Sequence, residues 1–313
     1  MLSVAGQSAF VPYYSNRPLT RPAPAVVRLV FSIHSSEYDA RQYFENARDA
    51  ASRREGVLEE TLIVAPLLAE ESVLGKQIPD GLLYWLASFA RGSSQAAVGP
   101  DRRKVSVSSY QVIDDWIAEL AASEYLPNIR EVVVVGHSAG GQFVQRYAMA
   151  GKLQLKDSIT VRYVASAPSS YAYPSPERYD PKSRRIGIPD GQFLALTPAY
   201  DNWGYGLQLP YTYFSDSRPE DIAARYAKRH VFYLCGEKDS DPRDDALGKG
   251  PEAMIQGTHR LERMKNFAEY LKQKYGDNIA RTHQFAIVPK VGHYGFGTMT
   301  SSDGVRLLFD PIP

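Results

Sequence analysis

Apolar residues along this chain gather into short dense runs, rich in β-branched side chains and too brief for helices. The first run is Val26–Ile33, which stops at His34-Ser35-Ser36; Thr61–Ala65, Glu131–Val135, Thr160–Ala165, His230–Cys235 and His283–Val288 follow. Between the runs the period changes. Tyr38–Arg54 carries Tyr43, Phe44, Ala47, Ala50 and Ala51 among charges and ends before Gly56, and Ser108–Ser123, Ala139–Ala150 and Thr258–Tyr275 show the same helical spacing. Strands alternating with helices, several apolar throughout and so buried on both faces, predict an α/β fold. A mostly parallel central sheet should carry helices on both sides.

Two stretches break the rhythm. Residues 166–219 are rich in proline and aromatic side chains and show no sustained period. They read either as a surface excursion packed by its own rings or as a cap-like insertion near the active site, in which Tyr171 and Trp203 would touch substrate. Glu70–Val105, with Tyr84-Trp85, is a candidate second wall. With no internal repeat and no second core, residues 1–313 read as a single domain.

Composition narrows the function. A chain of 313 residues, 44% hydrophobic, can bury a large core, and 36 basic against 35 acidic residues leave no net field to recruit nucleic acid or an anionic membrane. The clusters Asp101–Lys104 and Lys182–Arg185 read as solvated loop charge. Cys235 is the only cysteine, so no intrachain disulfide forms, and its apolar neighbours place it in a strand. The first residues lack the charged and apolar regions of a signal peptide, and no apolar run reaches membrane-spanning length. A cytoplasmic protein without stable membrane association is expected. Neither H-E-x-x-H nor clustered Cys/His spacing occurs, so no metal and no cofactor are expected.

The candidate chemistry begins at Gly136-His137-Ser138-Ala139-Gly140, a G-x-S-x-G match preceded by an apolar strand and followed by a helix. In that context a strained turn lifts the Ser138 hydroxyl above the sheet, while Gly136, Gly140 and Gly141 relieve crowding. A hydroxyl needs a base to take its proton and an acid to orient the base. Of the six histidines, His293 alone lies in a short glycine-bracketed loop directly after a late strand, Pro289–Gly295. The acid is sought past His230–Cys235, where Glu237, Asp239 and Asp241 cluster; Asp239 is preferred, because Asp241 precedes Pro242 and is held extended, but both stay in play.

The order Ser138, Asp239, His293 resembles that of the α/β-hydrolases from about Val26 onward. More narrowly, the chain is similar to a group of microbial serine α/β-hydrolases marked by the segments at Val132–Ala148, which includes GHSAGGQFVQRYA, and at Pro168–Tyr171 and Tyr200–Gly206. The resemblance implies an oxyanion hole from the backbone N–H groups of Ala139 and of the loop after the first strand, by position Ser36. His34 and Ser35 would lie beside substrate. Relatives carry His-Gly at that loop and this chain has His34-Ser35. The function implied is cleavage of a small-molecule carboxylic ester, bulky or aromatic if the rings of the insertion line the cleft. Amidase, lactonase, thioesterase or acyltransferase activity on the same residues, or a non-catalytic ligand-binding role, are the alternatives.

Overall fold

All six runs read as strands enter one seven-stranded sheet in the computed structural model, which describes residues 2–4 and 7–312. In chain order the strands are β1 (Tyr13–Ser15), β2 (Arg28–Ile33), β3 (Thr61–Pro66), β4 (Glu131–His137), β5 (Thr160–Ser166), β6 (His230–Gly236) and β7 (His283–Val288). They lie side by side as β7-β6-β5-β4-β2-β3-β1, all parallel except β1, which runs antiparallel along β3.

The helices of eight residues or more are α1 (Ala40–Ala51), α2 (Ser109–Ala122), α3 (Ala139–Ala150), α4 (Pro219–Lys228), α5 (Arg260–Tyr275) and α6 (Ser302–Phe309). Side chains of β4 alternate between the faces. Val132 and Val134 pack with Ile113, Phe143, Tyr226 and Phe267 of α2 to α5, while Val133 and Val135 pack with Tyr43, Ala47 and Leu308 of α1 and α6. A strand buried on both faces must be apolar at every position, which is why the valine run is continuous.

Strand β1 and helices α4 and α6 add to the elements expected from the sequence. Glu70–Val105 holds a small antiparallel sheet of Leu83–Trp85, Gln95–Val98 and Arg103–Ser106. Strands of three or four residues are too short to display a period. Residues 166–219 contain a hairpin, Arg178–Asp180 with Arg185–Gly187, and a short helix, Gly191–Leu196. Their aromatic rings turn mostly inward. Tyr171, Tyr173, Trp203 and Phe214 are buried in the same core as α3, and Tyr171 stacks on Phe267 at 4.6 Å.

Arg146 of α3 ties this segment down. Its buried guanidinium donates to Gly204 O at 2.9 and 3.1 Å, to Ser170 Oγ at 3.1 Å, to Ala90 O at 3.3 Å and to Gln142 Oε1 at 3.0 Å. No helix among the described residues is long and apolar enough to cross a membrane.

Candidate active site

Strand β4 ends in a turn whose backbone is unusual at one residue, Ser138, with φ 57° and ψ −117°. Two bonds hold it there: Ser138 N–H to Ser166 O and Gln142 N–H to Ser138 O, both 2.9 Å. Helix α3 starts immediately afterwards and lies hard against the end of β2. A Cβ on Gly140 would sit 2.4 Å from Ile33 O and 2.6 Å from His34 O, so only glycine permits that approach. The Ala139 amide opens the helix and has no intrahelical carbonyl to reach. Ser36 N–H, in the facing loop, has no backbone partner among the described residues. Neither Ser35 nor Ser36 has a positive φ, so the loop demands no glycine at either position.

That loop is braced by His34, which is fully buried. Its Nδ1–H donates to Ser35 O at 2.8 Å, and its Nε2 accepts from Leu68 N–H at 2.9 Å. Both nitrogens are occupied by backbone. Burial, the largest influence, brings its pKa down to about 4, so the ring is neutral at physiological pH. His34 is therefore a brace between the loops after β2 and β3, with neither ring nitrogen left free for a substrate.

The loops after β6 and β7 bring two further groups together. His293 Nδ1 lies 2.7 Å from Asp239 Oδ2; Asp239 is buried, and His293 is about one-fifth exposed. Lys238 N–H donates to Val291 O at 2.7 Å and Lys290 N–H to Glu237 Oε2 at 2.8 Å, joining the loops. Gly236 allows the closeness, since a Cβ there would meet Val291 O at 2.3 Å and Gly292 O at 2.4 Å. On the far side Arg260, at the start of α5, donates to Asp239 Oδ1 at 3.2 Å and to Asp244 Oδ2 at 3.0 Å. Asp241 instead points to solvent and bonds Arg243 in its own turn.

Ser138 and His293 line one cavity of about 280 Å³, together with Ser35, Ser36, Glu37, Gln42, Tyr43, Asn46, His137, Ala246, Tyr294, Gly295 and Phe296. The Ser138 hydroxyl makes no hydrogen bond among the described residues, His293 included, and is open to this space. Asp239 lies behind the His293 ring. Tyr171 and Trp203 are packed in the core and do not reach the cavity; Trp203 Nε1 donates to Arg91 O at 2.7 Å. The rings of 166–219 are thus core side chains, and they supply no aromatic wall here. Larger hollows of about 450 and 510 Å³ lie against the 178–193 hairpin region and between Phe10–Thr20 and α2, away from Ser138.

Several residues in and behind the cavity escaped the sequence reading. Asn46 had a signal, an amide on the otherwise apolar stripe Tyr43, Ala47 and Ala50 of α1. Arg260 had none, because its role depends on where α5 lands.

His137 adds a directional chain beneath the site. Thr298 Oγ1–H donates to Gly295 O at 3.0 Å and so accepts from Ser166 Oγ–H at 2.9 Å; Ser166 in turn accepts from His137 Nδ1–H at 3.0 Å. The Nε2 of His137 is left with a lone pair, unpartnered and open to the cavity. Its ring lies 4.5 Å from that of His293. Burial first, then the fields of His293 and Arg260, hold its pKa well below the usual value.

No curated protein sequence matches this chain. Among solved structures, it resembles LpqC, a poly(3-hydroxybutyrate) depolymerase from Bordetella parapertussis, at 22% identity and a TM-score of 0.61, covering 97% of this chain and 85% of that one. Poly(aspartic acid) hydrolase-1 from Sphingomonas sp. KT-1 aligns at 18% identity and a TM-score of 0.59, covering 96% of this chain and 99% of that one. At such identities the likeness is one of fold. The family model of the alpha/beta hydrolases matches residues 83–305, most of the chain, and with the parallel sheet and the turn at Ser138 already described, the protein belongs to the alpha/beta hydrolase family.

Proposed function

We propose that this protein is a serine hydrolase that cleaves small carboxylic esters through an acyl-enzyme. The observation that carries the reading is the meeting of Ser138, on its strained turn, with a His293 ring bonded to buried Asp239 in one cavity. With Nδ1–H donated to Asp239, the ring keeps a bare lone pair on Nε2, the form a general base requires.

In the first half-reaction the Ser138 oxygen bonds to the ester carbonyl carbon and its proton passes to His293 Nε2. The carbonyl electron pair becomes an oxyanion, for which Ala139 N–H and Ser36 N–H are the donors. Collapse expels the alkoxide, which takes the proton from His293 and leaves as alcohol. Water then attacks the acyl-serine, its proton passes to His293, and the second collapse returns that proton to Ser138 and frees the carboxylic acid. Asp239 orients the ring and steadies the imidazolium. Residues 166–219 serve as a fixed buttress for α3, since Arg146 binds them to it.

The test pairs a fluorophosphonate probe with ester turnover. Ser138→Ala should abolish both, and Asp239→Asn should lower kcat on the order of ten-thousand-fold, while Asp241→Asn stays within about twofold. Labelling that persists in Ser138→Ala, or a larger loss from Asp241→Asn, would overturn the assignment.

A further inference from the structure

The lining of the Ser138 cavity carries a charge pattern of its own. Glu37, an exposed residue on the cavity lining, forms no ion pair among the described residues, and no lysine or arginine lines the space. Uncompensated negative charge beside a small hollow favours a positive guest.

The other walls agree with that sign. His137 presents a lone pair, and because its pKa is held well down the ring does not become a competing cation. Exposed Tyr294 and half-buried Phe296 also line the cavity, with ring centroids 5.9 Å apart, and so does buried Tyr43. A carboxylate, an acceptor nitrogen and aromatic faces are the groups that recognise an ammonium ion, the rings through their negative π-faces. Apart from the substrate-facing His293, every titratable or charged side chain on the cavity wall is an acid, a phenol or a ring kept neutral. An anionic ester would meet Glu37 with no lysine or arginine on the cavity wall to offset the repulsion.

We propose that the ester hydrolysed here bears an ammonium group, protonated or quaternary, seated between Glu37, His137 and the Tyr294–Phe296 pair. This rests on the reading of Ser138 as nucleophile, and the test separates the two.

Turnover would be compared within matched pairs: glycyl against propionyl p-nitrophenyl ester, at a pH below the amine's pKa and corrected for spontaneous hydrolysis, and acetylcholine against its uncharged carbon isostere. The malonyl ester supplies the anionic member. In at least one pair kcat/KM should favour the cation by about tenfold, the malonyl ester should be slowest, and the preference should shrink as salt rises. Glu37→Gln should cut the cation-to-neutral ratio severalfold, and Glu37→Lys should turn the preference toward malonyl.

Ratios near one or below in both pairs, with neutral esters still hydrolysed in a Ser138-dependent way, would overturn the ammonium site and leave the hydrolase standing. A cation preference that Glu37→Gln does not diminish would overturn the seat. No turnover of any ester, together with no Ser138-dependent labelling, would remove the hydrolase reading and this inference with it.

Discussion

Ser138 sits at φ 57° and ψ −117°, a region that costs a non-glycine residue roughly 1–3 kcal/mol. Replacing its hydroxyl and replacing its Cβ are therefore different experiments. Ser138→Ala keeps the strain, whereas Ser138→Gly releases it at the cost of a more flexible unfolded chain. Both variants should be inactive, yet the glycine variant should be about 1 kcal/mol the more stable in denaturant unfolding; equal midpoints would mean the turn stores no strain. The residues around this turn were unequally legible. The turn at Ser138 could be read because glycines flanking a serine at a buried strand's end mark a tight passage from strand to helix. His34 could not, since its type suggests substrate contact and only the fold brings Leu68 N–H to its second nitrogen. Tyr171 and Trp203 misled in the same way, because an aromatic side chain looks alike in sequence whether it lines a cleft or fills a core.

Strand ends, more than strands, position the chemistry. The loops after β6 and β7 touch so closely that a methyl on Gly236 would overlap the carbonyls of Val291 and Gly292. Gly236→Ala should cost about 2–3 kcal/mol and, by parting Asp239 from His293, lower kcat more than it raises KM. Gly187→Ala, where nothing lies within 4 Å, is the control and should be neutral in both assays. Indistinguishable melting of the two variants would refute the tight contact. Long elements were legible: β7 and α3 begin and end where their periodicity does, and α5 starts two residues later than the pattern, with His259 as its cap. The three-residue β1 and the Leu83–Ser106 sheet were not, because such strands follow from partners distant in sequence.

Across the molecule, burial has made several histidines reluctant to take a proton. His34 and His283 are each brought down from 6.5 to about 4, chiefly by desolvation, and His137 is likewise held well below the usual value by burial. Above pH 6.5 these rings are neutral in both folded and unfolded chains and leave stability unchanged. As pH falls from 6.5 toward 4 the unfolded chain binds protons that folded His34 and His283 refuse, so stability drops by up to about 1.4 kcal/mol per pH unit for each ring. Thermal unfolding should show that slope, and His34→Gln should flatten it by one ring's share; parallel curves for the two proteins would contradict the assignment. The parallel sheet was legible at this level because strands buried on both faces leave an unmistakable pattern, while the inward turn of residues 166–219 was not, since it depends on buried side chains such as Arg146, Arg178 and Arg263 whose acceptors only the fold brings to them. Arg146 gathers carbonyls or hydroxyls from the helical turn at Ala90 and from Ser170 and Gly204, at two places in the 166–219 segment. Such a hub makes those stretches poor modules. A chimera that exchanged any one of them for a segment of different backbone path would leave the guanidinium short of part of its acceptor set, so diversification of this hydrolase is freer at the cavity mouth than in the segment the aromatic residues make conspicuous.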